Sequence, residues 1–351
     1  MKKTAIITGG AGFIGCNAAA RFLSRGYRVV VVDNLSRNGS EANLAWLRKN
    51  HGGIVFAKQD IRDAKGLEKV FAKSAPADVV IHLAGQVAVT TSVADPRTDF
   101  DINALGTLNV LEAIRSVYAL SPSRKRKAPF VIYASTNKVY GGMDDIKVVK
   151  KNGRYAYGDL KNGIPENRLL DFHSPYGCSK GAADQYVIDY GRIYGLESVA
   201  MRQSCIYGYR QFGIEDQGWV AWFTIAAHQG RKITIYGDGK QARDMLFIED
   251  LLDAYEAAFK NRKKVSGKAY NIGGGPKNVM SLLQLLAALE KRIGKKIPLS
   301  FSGWRPGDQP VFICDVRKAK REFGWEPKIS TKDGVAKLSD WVAANIKLFA
   351  K

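Results

Sequence analysis

Thr4-Ala5-Ile6-Ile7-Thr8-Gly9-Gly10-Ala11-Gly12-Phe13-Ile14-Gly15, near the start of a 351-residue chain, decides the fold. A short apolar strand, Thr4 to Thr8, runs straight into a glycine-rich turn. Ile14, Ala18, Phe22 and Leu23 then fall on one stripe of a helix. Strand, glycine turn and helix in that order bring bare backbone up to a pyrophosphate and aim the positive helix end at its charge. The glycines parse as G-x-G-x-x-G from Gly10 or G-x-x-G-x-x-G from Gly9, and neither pattern is specific alone. Context adds the specificity: Arg28 to Val32 reads as a second buried strand ending in Asp33, 18 residues beyond Gly15. A carboxylate there accepts hydrogen bonds from an adenine ribose, which predicts NAD. Arg37 is placed to pair with the 2′-phosphate of NADP, but Asp33 would repel that group.

The alternation continues, with strands expected near Ile54 to Ala57, Asp78 to His82, Pro129 to Ala134, Glu197 to Met201 and Lys268 to Ile272. Helical segments such as Ala104 to Arg115 separate them. Strands alternating with helices predict an α/β chain built on a doubly wound parallel Rossmann sheet. Such sheets bind ligands beyond the carboxyl ends of their strands, which places Asp60-Ile61, Leu83-Ala84-Gly85-Gln86 and Ala134-Ser135-Thr136 at the site. From about Cys205 the rhythm breaks. The later pieces include Gly218 to Phe223, the turn Tyr236-Gly237-Asp238-Gly239, a helix from Ser281 to Ile293, the loop Arg305-Pro306-Gly307-Asp308 and a terminal helix from about Asp333. They predict a smaller α+β substrate-binding domain of residues 205–249 and 276–351, closing over a first domain of residues 1–204 and about 250–275.

Composition excludes more than it selects. With 46% apolar residues there is ample material for a core, and no run reaches membrane-spanning length. Lys2-Lys3 precedes too few apolar residues for a signal peptide, so the protein is expected in the cytoplasm. Cys16, Cys178, Cys205 and Cys314 are too scattered for a zinc knuckle and read as reduced thiols. His51, His82, His173 and His228 also lack metal-ligand spacing; His82 ends an apolar strand and reads as a core residue, and no metal is implied. The 54 basic against 33 acidic residues, net +21, suit an anionic partner, but the densest run, Ser123 to Lys127, has no interleaved aromatics and reads as an exposed loop. Nucleic-acid binding on a retired catalytic fold is the rival from another class.

Tyr176 and Lys180, in Ser174-Pro175-Tyr176-Gly177-Cys178-Ser179-Lys180, are four residues apart where a helix should begin, which puts both side chains on one face. A phenol titrates near pH 10, so it serves as a base at neutral pH only if a neighbour favours its anion. The Lys180 ammonium is expected to do so, and a cationic nicotinamide to add to it. Such a base takes the proton of a sugar hydroxyl while hydride leaves the same carbon. The combination of Thr8-Gly9-x-x-Gly12-x-x-Gly15, Asp33, Ala134-Ser135-Thr136 before Val139-Tyr140-Gly141, and Tyr176-x-x-x-Lys180 resembles the extended short-chain dehydrogenase/reductases, the NAD-dependent epimerase/dehydratase family, over nearly the whole chain.

The resemblance implies Tyr176 as base, Thr136 as hydrogen-bond partner of the reacting oxygen and Lys180 as the group that holds the nicotinamide ribose. It implies a cofactor set of Gly9, Gly12, Phe13, Ile14, Asp33, Asn34, Ser36, Arg37, Asp60, Ile61, Leu83, Ala84, Gly85, Gln86, Asn103, Ala134, Ser135, Tyr176, Lys180 and Gln203. Members act on nucleotide-diphosphate sugars, and the implied substrate set is Gln86, Thr136, Asn137, Lys138, Ser204, Gln217, Arg243, Arg305 and Asp308, with both arginines on the diphosphate. Family 4,6-dehydratases carry an Asp-Glu pair after the threonine; Asn137-Lys138 stands here, so elimination lacks its acid. Epimerase, reductase and decarboxylase remain. The block Asp171 to Tyr186, Ser135 to Gly141, Arg210-Gln211-Phe212 and Asp216 to Val220 are similar to the family branch that inverts C2 of CDP-linked 3,6-dideoxyhexoses. A UDP- or GDP-sugar 4-epimerase or a reductase is the alternative. Cys16 stands where serine is usual and Ser204 where 4-epimerases carry asparagine. The family also implies a homodimer or homotetramer, paired through the helix of Tyr176 and the helix from Ala104, with neither nucleic acid nor membrane as partner.

Overall fold

Four consecutive valines, Val29 to Val32, leave a strand no polar face, and its side chains divide between two cores. Val29 and Val31 point into one and Val30 and Val32 into the other. The computed structural model describes every residue except 1, 122, 124–126, 306–307 and 350–351. Much of the basic run read as an exposed loop, and the middle of the loop from Arg305 to Asp308, therefore lie outside the described residues.

The main sheet is formed by β1 (Thr4–Thr8), β2 (Arg28–Asp33), β3 (Ile54–Lys58), β4 (Val79–His82) and β5 (Phe130–Thr136). After a hairpin of β6 (Val148–Lys151) and β7 (Arg154–Tyr157), it is completed by β8 (Ser198–Gln203) and later by β12 (Lys268–Ile272). Its seven strands are parallel in the order β12-β8-β5-β4-β1-β2-β3, the doubly wound sheet expected. The order reverses between β1 and β4, and the crevice at their carboxyl ends is where such sheets bind ligands. Strands β5 and β8 run further than the sequence pattern suggested, because Ser135 and Thr136 stay in register with Arg202 and Gln203.

Helices α1 (Phe13–Ser24), α2 (Ser40–Asn50) and α9 (Ile248–Lys260) contribute to the core on one face. On the other face the core takes in α3 (Ala64–Ser74), α6 (Gly106–Val117) and α7 (Ser174–Tyr194). The short helices α4 (Val89–Ala94) and α5 (Pro96–Phe100) and a π-type turn, Asp101–Leu105, lead into α6, which starts two residues later than expected. The remaining helices are α8 (Trp219–His228), α10 (Arg262–Val265), α11 (Leu282–Ile293), α12 (Arg317–Phe323) and α13 (Thr331–Ala344). Helix α11 starts at a capping box of Ser281 and Gln284.

Beyond Gln203, β11 (Ala242–Phe247) pairs with β9 (Cys205–Tyr207), β13 (Val279–Ser281) and β15 (Val311–Phe312), while β10 (Ile233–Tyr236) pairs with β14 (Leu299–Ser302). The apolar cluster under α1 continues without a break into Val220 and Phe223 of α8, Leu285 of α11 and Val335 of α13. The C-terminal elements are thereby anchored beside the open end of the sheet.

Candidate active site

The turn after β1 is shaped for close approach. Gly9 has φ +65°, and a Cβ there would lie 2.6 Å from the Ala84 amide nitrogen; a Cβ on Gly15 would lie 2.1 Å from the Gly9 carbonyl oxygen. Gly12 caps α1 with no side-chain acceptor, so first-turn amides remain for an anion. Phe13 and Ile14 are half-buried against the adjoining core. At the end of β2, Asp33 accepts from Ala11 N at 3.0 Å and Leu35 N at 2.8 Å. Burial pushes its carboxyl up, while the amides of Leu35, Ala11 and Gly12 and the charge of Arg37 pull it down. Asn34 donates to Asp60 at 2.9 Å and accepts from Ser36 N at 3.1 Å. The hydrogen bond from Arg62 holds Asp60 well below the usual carboxylate range. Ile61 is buried close to Gly106. A bare-backbone turn, an open helix end and a carboxylate beyond the next strand fit the pyrophosphate and adenosine ribose of NAD.

Leu83, Ala84, Gly85 and Gln86 follow β4, and Asn103 Oδ1 accepts the Gln86 amide at 3.0 Å. His82 sits in the core, with Thr8 Oγ1 2.6 Å from Nδ1 and Thr107 Oγ1 3.0 Å from Nε2. Gln203 donates to the Tyr255 hydroxyl at 2.7 Å.

Tyr176 opens α7, its amide donating to Ser92 Oγ at 3.1 Å, and its ring is buried. Burial pushes Tyr176 up to about 12; a hydrogen bond with Thr136 and the charge of Arg37 pull down, and Asp99 pushes up. Lys180 is turned to the sheet, donating to Ala134 O at 2.7 Å and lying 4.3 Å from the Tyr133 ring centroid. Burial brings Lys180 itself down to about 7, against the charges of Asp184 and Asp99. Burial therefore disfavours the phenolate, and a cation bound beside the phenol would favour it. Ser135 donates to Asp184 at 2.6 Å.

Facing Tyr176, the Thr136 hydroxyl accepts the Lys138 amide at 3.2 Å and lies 3.4 Å from Asn137 Oδ1. Lys138 Nζ reaches Gln309 Oε1 at 3.4 Å. Burial and then Arg243 bring Lys138 down to about 8, with Asp308 opposing. Arg243 pairs with Asp308 at 2.7 Å; Arg305 pairs with Asp216 at 2.9 Å and stacks 3.8 Å from the Tyr236 ring centroid. Arg37 donates to Gln217, tying the β2 loop to the loop before α8. Ser204 donates to buried Asp244. A cavity of about 910 Å³ lies at the opposite end of the sheet, between Lys3, Tyr27 and Lys263. Among the described residues no three His, Cys, Asp or Glu are grouped to hold a metal.

Several residues at this site were given no role in the sequence reading: Ser92, Asp99, Ser179, Asp184, Arg202 and Gln309. Of these, Asp99 carried a signal, lying one helical turn before Asn103.

The family model described as GDP-mannose 4,6 dehydratase matches residues 6–338. The chain is 45% identical over 344 residues to CDP-paratose 2-epimerase of Salmonella typhi, covering 97% of this chain and 99% of that protein. Among solved structures, UDP-glucose 4-epimerase of Thermotoga maritima with UDP-glucose superposes with a TM-score of 0.82 at 30% identity, over 98% of this chain and 99% of that one. UDP-glucose 4-epimerase of Thermus thermophilus in complex with NAD superposes with a TM-score of 0.78 at 30% identity, over 96% and 98%. The chain belongs to this family of extended short-chain dehydrogenase/reductases. It is an NAD-dependent nucleotide-sugar epimerase. No helix among the described residues is long and apolar enough to cross a membrane.

Proposed function

We propose that the protein inverts C2 of CDP-paratose to give CDP-tyvelose through a transient 2-keto sugar. The observation that carries this is the pair Asn137-Lys138 beside Thr136 and Tyr176, in a chain so similar to a CDP-paratose 2-epimerase. A site with amide and ammonium where a dehydratase needs two carboxyls can oxidise and reduce a carbinol but has no acid-base pair for eliminating water.

Gly9, Gly12, Asp33 and Lys180 would hold NAD, which would accept the C2 hydride as the 2-keto sugar forms and give it back to the opposite face. The cation of bound NAD would favour the Tyr176 anion, which burial disfavours. Tyr176 then removes the proton of the C2 hydroxyl and Thr136 steadies the oxygen. Arg243 and Arg305, each already resting on a carboxylate, exchange that carboxylate for the substrate diphosphate and keep the nucleotide fixed. The ketone turns its other face about the diphosphate bonds, and Tyr176 returns the proton. Asn137, Lys138 and Gln86 line the sugar pocket.

Exposed Val93, Phe100, Leu105, Tyr186 and Ile193 lie on or beside α4, α5, α6 and α7 and support the family's pairing as a homodimer. The test of function is incubation with CDP-paratose and no added NADH. Appearance of the C2 epimer at equilibrium supports the proposal. Inversion of a UDP-hexose at C4, with CDP-paratose unchanged, overturns it.

A further inference from the structure

Asp99, on α5, is 1% exposed, yet it lies inside the catalytic cluster. Its Oδ1 accepts from Gln86 Nε2 and Asn103 Nδ2, each at 3.1 Å, and its Oδ2 accepts from Ser179 Oγ at 2.5 Å. Ser179 lies between Tyr176 and Lys180 on α7, with its Oγ 3.2 Å from the Tyr176 carbonyl oxygen. One carboxylate therefore ties together the end of β4, the turn before α6 and the second turn of the helix that carries the base. None of its three donors is charged. Burying a carboxylate on neutral donors is costly, and a neutral acceptor of the same shape would accept such bonds at lower cost. Burial pushes the Asp99 carboxyl up, and the Ser179 hydrogen bond, the charge of Lys180 and the Asn103 hydrogen bond pull it down, so its charge is held against Lys180.

We propose that Asp99 is a positioning residue for the Tyr176–Lys180 pair, fixing the start of α7 against Gln86 and Asn103 and holding a negative charge beside both members. The other titratable groups around the pair are Asp184 on α7, paired with Arg202 of β8; Tyr133 of β5; His82 of β4; and Arg37 after β2. A negative charge beside a phenol disfavours its anion, and beside an ammonium it favours the cation, so both titrations move up. Asp99 acts in those directions on Tyr176 and on Lys180. Activity requires the phenolate and the ammonium together. The two limbs of the pH profile belong to the Tyr176–Lys180 pair as a whole, and removing the charge must move both limbs down.

The inference rests on Tyr176 being the base. The experiment is the pH dependence of kcat for the NAD-loaded enzyme and its Asp99→Asn variant. Both limbs should move to lower pH by about one unit. Limbs that stay in place while kcat falls would leave Asp99 a packing residue and overturn the proposal, as would limbs moving apart. Ser179→Ala, which breaks the clamp but keeps the charge, should lower kcat with the limbs unmoved. If the amide variant does not fold, Asp99→Ser removes the same charge and should give the same shift. A readout free of substrate is the tyrosinate difference absorbance, taken as each protein minus its Tyr176→Phe counterpart, which should titrate lower without Asp99. Full activity in Tyr176→Phe alone would refute the base assignment, a separate outcome from unmoved limbs.

Discussion

Asp184 and Arg202 form a two-pronged ion pair beneath the catalytic helix, with Nε to Oδ2 at 3.1 Å and Nη2 to Oδ1 at 3.0 Å, and side chains 0% and 5% exposed. Asp184 also takes the Ser135 hydroxyl, so the pair pins α7 to β5 and β8. Removing one partner strands the other charge in the core. Arg202→Ala or Asp184→Ala is expected to cost about 3–5 kcal/mol of stability, read from the denaturant midpoint.

Tyr176→Phe keeps the ring packing and removes the proton acceptor. We expect turnover to fall by roughly 10²- to 10⁴-fold while the NAD content of the purified protein is unchanged. Loss of cofactor together with activity would instead indicate damage to the nucleotide groove.

Asp33→Ala removes a ribose acceptor and orphans the Ala11 and Leu35 amides. Each orphaned amide costs ~1–3 kcal/mol. Bound NAD, quantified after denaturation, should drop along with thermal stability.

Arg243→Ala and Arg305→Ala each delete a charged contact to the diphosphate. Such contacts contribute about 1.5–3 kcal/mol, so KM should rise roughly tenfold or more, with a smaller change in kcat.

Lys138 is brought down to about 8 by burial and by Arg243. It is a cation below that pH and neutral above it, so affinity for the anionic substrate should weaken as pH rises through about 8. Measured as KM against pH, this alkaline rise should disappear in Lys138→Met.

The fold was legible because its strongest constraints are local. Valines that feed two cores in alternation admit only a covered parallel strand, and Gly9 and Gly15 sit where any Cβ would collide with Ala84 or Gly9. The ends of β4 and β5 were legible for the same reason, since the sheet itself brings Gln86 and Thr136 to one crevice. What escaped were polar contacts made by long-range packing. Asp99 reaches Ser179 across 80 positions and Ser204 turns to Asp244 across 40, and nothing in their neighbouring residues announces either bond. The direction of Lys180 escaped likewise: spacing puts it on the face of Tyr176, but the carbonyl of Ala134 and the ring of Tyr133 decide where its ammonium rests.

The account stands most directly on removal and return of hydrogen at one carbon. The decisive measurement is proton NMR of CDP-paratose turned over in heavy water, watching C2. We predict the inverted sugar with its C2 hydrogen retained; deuterium at C2 would show exchange through a carbanion and contradict oxidation and return.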